Sequence, residues 1–422
     1  MNIEDIYQIF IRYPSIQTDT RKLQKDDLFF ALKGPNFNGN LFARQALDEG
    51  AAYVVADEEM SFSDERIIRV DDVLQTLQLL AKYHREQFDI PFIAITGSNG
   101  KTTTKELVHE VLSSQYKTYT TRGNLNNHIG IPLTILKIKM DAQMAVIEMG
   151  ANHLKEIEGY CQYAQPTHGL ITNIGKAHLE GFGGAENVKK GKGELFEYIK
   201  QRNGIAFVNM DDANVLDVSQ NLRNVIYYGS SGENSIGHIL RKDPFLEVAV
   251  GKEGSIETNL VGAYNLPNVL AAVCIGNYFK IDFEKIKKAI ENYAPSNSRS
   301  QLVKLKNNTV ILDAYNANPG SMAAAIENFA SMNGDKKILL LGDMKELGED
   351  SRKEHAAIIS LIDKHTWSEV VLVGKTFSEI NHEYISFENS TQAREWFQKK
   401  NIENAQILIK GSRSMQMEKV IE

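Results

Sequence analysis

The chain has little cysteine. Its two thiols, Cys161 and Cys274, are far apart in 422 residues and lie in apolar surroundings. Buried thiols are expected, rather than a disulfide or a thiolate nucleophile. A basic excess is also missing. The net charge of −7 has the wrong sign for a general nucleic-acid binder, which needs a basic face for phosphates. Local basic loops could still hold small anions. No apolar run approaches the roughly 20 residues that a membrane span needs, and the acidic start, Met1-Asn-Ile-Glu-Asp5, lacks a signal-peptide pattern. These features predict a cytoplasmic protein without an integral membrane segment. No fixed-period repeat or low-complexity tract is present.

The length calls for several cores, and the sequence divides into three α/β units. Residues 1–87 carry short strands at Leu28–Leu32 and Ala51–Val55, with helices at Leu41–Glu49 and Val73–Gln87. Residues 88–296 alternate apolar runs with helical stretches, the pattern of a parallel sheet covered on both faces. The runs are Phe92–Ile95, Met144–Met149, Gly169–Asn173 and Gly204–Asn209. Phe245–Val250 and Ser255–Val261, joined through Gly251-Lys-Glu-Gly254, read as a hairpin appended to that sheet. After a break at Pro295-Ser-Asn-Ser298, residues 297–422 repeat the alternation. Their strands are Thr309–Leu312, Lys337–Leu341, Val370–Val373 and Gln406–Ile409, a second open sheet of Rossmann-like type.

The segment Ile93-Ala-Ile-Thr-Gly-Ser-Asn-Gly-Lys-Thr-Thr-Thr104 carries the strongest chemical signal. A strand leads into a loop bracketed by Gly97 and Gly100. Lys101 and Thr102 follow, and a helix is predicted over Lys105–Leu112. Such a loop offers backbone N–H groups and a helix dipole to a phosphate, an ammonium to neutralise it, and a hydroxyl for Mg²⁺. The full Walker spacing is not met, because position 95 is Ile. Other strand ends add to it, as ligands gather at the carboxyl ends of strands in open α/β sheets. Glu148 is either a surface acid or a Mg²⁺ ligand. His178 is either structural or a metal or phosphate contact. Lys189-Lys190-Gly191-Lys192-Gly193-Glu194 is placed at the opening of a helix, as a solvated turn or as a lysine turned toward phosphate. The amide-rich loop Gly123–Gly130, with Asn126, Asn127 and His128, could hold a peptide or a phosphate. Asn318 with Pro319 suits a helix cap, which leaves Asp313 and Asn316 unexplained.

Taken in order, these segments resemble the Mur ligases, the ATP-dependent amide-forming enzymes of peptidoglycan precursor synthesis. The resemblance rests on Gly97–Lys105, Asn124–Asn127, Glu148–Asn152, Asn173–Gly183, Tyr315–Pro319, Gly342–Gly348 and Lys410–Arg413, and it covers nearly the whole chain. It implies three domains and the joining of D-alanyl-D-alanine to UDP-N-acetylmuramoyl-tripeptide through an acyl phosphate, by a monomer. Gly97, Asn99, Gly100, Lys101, Thr102 and Thr103 would hold ATP phosphates, and Asn265, Asn268, Arg299 and Asp313 would complete the nucleotide site. Tyr264 stands where the family more often has His. Two Mg²⁺ ions are implied, supported by Thr102, Glu148, His178 and a carbamate on Lys192. Lys101, His178, Lys192 and Arg299 are the implied catalytic set. Thr18, Asp19, Thr20 and Arg21 match the segment for the UDP-sugar, with Thr where Ser is usual. The Asn38-Gly39-Asn40 turn departs from the family's Asp-Gly-His. Asn126, Asn127, Asn316, Asn318 and Ser412 would contact the peptide substrates. Another Mur-type ligase or folylpolyglutamate synthase is the alternative. A nucleotide switch is disfavoured, since no Asn-Lys-x-Asp signature is present.

Overall fold

The computed structural model describes residues 1–232, 235–296 and 298–422. Asn297, where the third unit was expected to begin, lies outside the described residues. Each of the three expected units has its own parallel or mostly parallel sheet. In the first, Ile16–Gln17, Leu28–Phe30, Tyr53–Ala56 and Ile67–Arg69 pair in that order, all parallel. Helix Val73–Arg85 closes this unit and packs on the central one.

The central sheet has six parallel strands in the order Val225–Tyr228, Ile205–Asn209, His168–Ile171, Phe92–Thr96, Met144–Glu148 and Thr118–Thr120. Every residue of Phe92–Thr96 and Met144–Glu148 is buried, as a sheet covered on both faces requires. After Phe92–Thr96 the chain fills one side of that strand and then crosses to the other. The switch point therefore falls at its carboxyl end, where open sheets collect ligands.

Three expectations need correction here. The hairpin is not part of the central sheet: Glu247–Val250 and Gly254–Glu257 join Gly237–Arg241 in a separate antiparallel sheet. The inward side chains Val248, Val250 and Ile256 pack against the same core as helix Leu266–Tyr278, so the hairpin buries a face rather than extending an edge. The helix after the glycine loop starts at Lys101, four residues before the expected Lys105. The lysine run does not open its helix. That helix spans Ala185–Gln201, which puts Lys192 in mid-helix with a fully buried side chain.

The last sheet runs Gln301–Leu305, Asn308–Asp313, Gln406–Lys410, Lys337–Gly342, Glu369–Val373 and Ile385–Phe387. Only its first pair is antiparallel. No helix among the described residues is long and apolar enough to cross a membrane. Both thiols are free and buried, and burial pushes the Cys274 thiol up to about 12, so neither is a ready nucleophile.

His168 begins a central strand and lies among the rings of Phe207, Tyr278 and Phe279. Burial lowers its pKa from 6.5 to about 4. The folded state therefore holds it neutral while an unfolded chain would protonate it. That contribution to stability is complete above pH 6.5 and is lost as pH falls toward 4. The shift corresponds to about 3 kcal/mol at most. His168→Leu should narrow the gap between melting temperatures at pH 7.5 and pH 5. An unchanged gap would assign the acid sensitivity to other groups.

Candidate active site

The glycine loop is shaped by contacts with the next strand end. Ser98 N donates to Asn173 O at 2.9 Å, and Asn99 N donates to Asn173 Oδ1 at 3.0 Å. Asn173 Nδ2 and Thr172 Oγ1 both donate to Asn99 O, at 2.9 and 2.6 Å. Two positions admit only glycine. Gly97 has φ +145°, and a Cβ there would stand 2.0 Å from Thr172 Oγ1. Gly100 has φ +79°, and its Cβ would stand 2.5 Å from Asn268 Oδ1. The loop thus presents the first turn of helix Lys101–Ser113, whose leading N–H groups have no partner within the helix. Lys101 Nζ folds back onto Gly97 O at 2.8 Å and Ser98 O at 3.2 Å. Burial pushes its pKa down, and Glu148 opposes that.

A cleft of about 640 Å³ opens over this loop, walled by the carboxyl edges of the central and third sheets. From the central side come Asn99, Gly100, Lys101, Thr102, Thr103, Asn126, Asn127, Glu148, His178, Asn265 and Asn268; from the other come Arg299, Asp313, Asn316 and Asn318. Residues 219 apart in sequence bond there: Asn318 Nδ2 donates to Asn99 Oδ1 at 2.7 Å. His178 Nδ1 bonds the Glu346 carboxylate, and Lys176 pairs with Glu354 at 2.6 Å. These three links tie the third unit to the central one.

Glu148 is not a surface acid. It is 1% exposed; Oε1 accepts from Asn126 Nδ2 at 2.7 Å, while Oε2 has no partner among the described residues. A buried carboxylate oxygen left unpaired is costly, and a cation would relieve it. Lys192 lies behind the cleft wall, with Nζ donating to Ala151 O at 3.0 Å. Burial, with some help from Lys101, drives its pKa well below the usual lysine value. Among the described residues no three His, Cys, Asp or Glu side chains form a metal cluster by themselves.

The remaining expected residues divide by location. Asn265 and Asn268 line the cleft, but their amides are already joined to each other, to Val261 O and to Thr104 Oγ1. Arg299 stacks over Tyr315, its guanidinium carbon 3.5 Å from the ring centre. Asp313 pairs with Lys410 and accepts from Ser300 N. Asn318 also caps helix Pro319–Ser331 through a full capping box, and Asn127 Oδ1 accepts from Ile129 N and Gly130 N at the start of helix Gly130–Ile135. Asn316 lines the cleft. Ser412 does not: it is buried, accepting from Lys345 N and donating to Ala317 O, so it joins two loops behind the wall. Thr18, Asp19, Thr20 and Arg21 sit in the first unit away from the cleft, where Asp19 holds the exposed Arg21. Glu346 and Lys410 lie within the segments Gly342–Gly348 and Lys410–Arg413, and nothing in the sequence assigns either a role. Their places follow from sheet order, which no local pattern encodes.

Comparison with known proteins agrees with this layout. Three family descriptions match in succession: Mur ligase family, catalytic domain, over residues 12–85; Mur ligase middle domain over 95–276; and Mur ligase, glutamate ligase domain, over 298–413. The UDP-N-acetylmuramoyl-tripeptide–D-alanyl-D-alanine ligase of Bacillus subtilis is 33% identical, over 96% of this chain and 92% of its own. A crystal structure of MurF from Acinetobacter baumannii superposes with a TM-score of 0.86 at 31% identity, covering 96% of this chain and 92% of that one. MurF from Thermotoga maritima in complex with ADP superposes at 0.85, with 26% identity and 96% of each chain covered.

Proposed function

The chain belongs to the Mur ligase family, and on that premise we propose that it is an ATP-dependent ligase joining D-alanyl-D-alanine to UDP-N-acetylmuramoyl-tripeptide. The product is the pentapeptide precursor of peptidoglycan. The observation that carries this reading is the single cleft in which the phosphate loop faces polar strand ends of a second sheet. A nucleotide switch would need only the loop.

Residues 1–87 would take the UDP-sugar, 88–296 the ATP, and 297–422 the dipeptide, in a cytoplasmic monomer. The tripeptide carboxylate attacks the γ-phosphorus of ATP; the bond from that phosphorus to the β–γ bridging oxygen breaks, ADP leaves, and an acyl phosphate remains. The dipeptide amine then attacks the acyl carbon and phosphate departs. In the first step two anions must meet. Lys101 and Arg299 would offset that repulsion and the charge on the transferring phosphoryl group. Glu148, with its unpaired oxygen, fits Mg²⁺, and Thr102 and His178 are placed at the same cleft. Phosphate oxygens would have to complete each coordination shell. Two Mg²⁺ ions, when bound, would supply further charge neutralisation. Lys192 fits a carbamate: a neutral amine reacts with CO₂, and the product is the anion that a second metal would need. The links at Asn318, Glu346 and Glu354 would keep water from the acyl phosphate while the amine arrives.

Phosphate release tests this reading directly. With ATP, Mg²⁺ and UDP-N-acetylmuramoyl-tripeptide, release is expected to depend on added D-alanyl-D-alanine and to match pentapeptide formation. Release indifferent to the dipeptide would turn attention to folate substrates and to the other amino-acid ligases of the family.

A further inference from the structure

A second hollow of about 540 Å³ opens between helix Val73–Arg85 of the first unit and helix Glu156–Ala164 of the central one. His128, Glu156 and Tyr160 line both it and the cleft, so the two spaces share a wall. Leu79, Gly159 and the rings of Tyr160 and Tyr163 give it an apolar wall. Two polar features there lack partners. Tyr163 is 6% exposed, yet its Oη is buried with no hydrogen bond among the described residues. Such a hydroxyl calls for a ligand or a bound water. Burial raises its pKa, so it stays a proton donor. Across the hollow, the Lys82 ammonium has no ion pair among the described residues. The other charges are engaged: Lys155 pairs with Glu158, and the Glu156 carboxylate accepts from Asn152 N and His153 N.

We propose that this hollow is the subsite for the third-residue side chain of the tripeptide, and that it selects diaminopimelate over lysine. The proposal rests on the ligase reading above. The third residue carries the reacting carboxylate, so its side chain must start in the cleft. The wall shared at His128, Glu156 and Tyr160 is where that side chain would pass from the cleft to the hollow. The aliphatic stem then lies on Leu79 and Tyr160. The distal carboxylate of diaminopimelate accepts from Tyr163 Oη and faces Lys82, while its distal ammonium is near Glu156 at the mouth. Lysine has the same stem but ends in an ammonium alone. It would leave Tyr163 unpaired and set like charge against Lys82.

The test compares kcat/KM for two UDP-N-acetylmuramoyl-tripeptides, one ending in diaminopimelate and one in lysine, on the full chain. The native protein is expected to favour diaminopimelate by about tenfold or more, the range of a charge-assisted hydrogen bond. Tyr163→Phe and Lys82→Met should each lower kcat/KM for that substrate through KM; the first should leave the lysine substrate unchanged, and the second should raise its kcat/KM by removing the like charge. Lys82→Glu should move the preference toward lysine. Unfolding temperatures of the variants separate lost recognition from lost structure. Equal use of both substrates by the native protein, or equal losses on both in folded variants, would overturn the subsite while leaving the ligase intact. No turnover with either would overturn the ligase reading, and the subsite with it.

Discussion

Lys101→Ala is expected to lower turnover at least about a hundredfold, the usual loss when one charged or hydrogen-bonding stabiliser of a transition state is removed. Phosphate release under saturating substrates reads this out. The fold should survive, because the ammonium bonds only the loop carbonyls of Gly97 and Ser98. The loop itself is held independently by Asn173 and Thr172. Circular dichroism and melting temperature should therefore stay near those of the native chain. Near-normal turnover in such a folded variant would remove the phosphate-loop assignment. A native-like KM for ATP beside a collapsed kcat would place the lysine's contribution in the transferring phosphoryl group rather than in nucleotide binding.

Lys192→Ala should be inactive, with activity partly restored by added short carboxylates such as formate or acetate. The reasoning starts from burial. Desolvation favours the neutral amine, and only the neutral amine combines with CO₂. The resulting carbamate would turn a buried neutral amine, whose Nζ donates to Ala151 O, into an anion. Alanine removes that anion and leaves space in mid-helix, with Phe182 close by: the Lys192 Nζ lies 5.1 Å from that ring's centre. Some loss of stability is expected from the missing stem. Chemical rescue is therefore the discriminating readout, since a small carboxylate can replace a lost charge but cannot repair a packing defect in a well-defined way. Full activity without any rescue agent would dispose of the carbamate.

Much of the fold was legible because its signals are local. Buried parallel strands are short apolar runs, and Phe92–Thr96 and Met144–Glu148 fall where such runs lie. Asn318 before Pro319 announces a helix start, and the capping box is there. The misplacements have physical reasons. Thr102 and Thr103 carry modest helix propensity, so the helix was expected to begin at Lys105; the glycine loop imposes the earlier start by setting Gly100 in the left-handed region. The lysine run looked like a helix opening because lysines are usually solvated. In fact Gly191 lets Phe182 approach, since a Cβ there would meet the ring at 2.4 Å. Short edge strands such as Thr118–Thr120 and Ile385–Phe387 carry too few residues for a period to show.

The sequence by itself determined the α/β class, the three-unit division, the glycine loop and the order of polar strand ends. Each is a matter of residues near one another in the chain. The tertiary structure alone decided which strand ends share a cleft. It brought Asn99 to Asn318 and His178 to Glu346, sent Ser412 behind the wall, and buried Lys192 beside Ala151. It also set Tyr163 and Lys82 across one hollow from two different units. The reason is common to all of these: hydrogen-bond partners and desolvation depend on which elements pack together, and packing between distant segments leaves no mark on the local pattern of either.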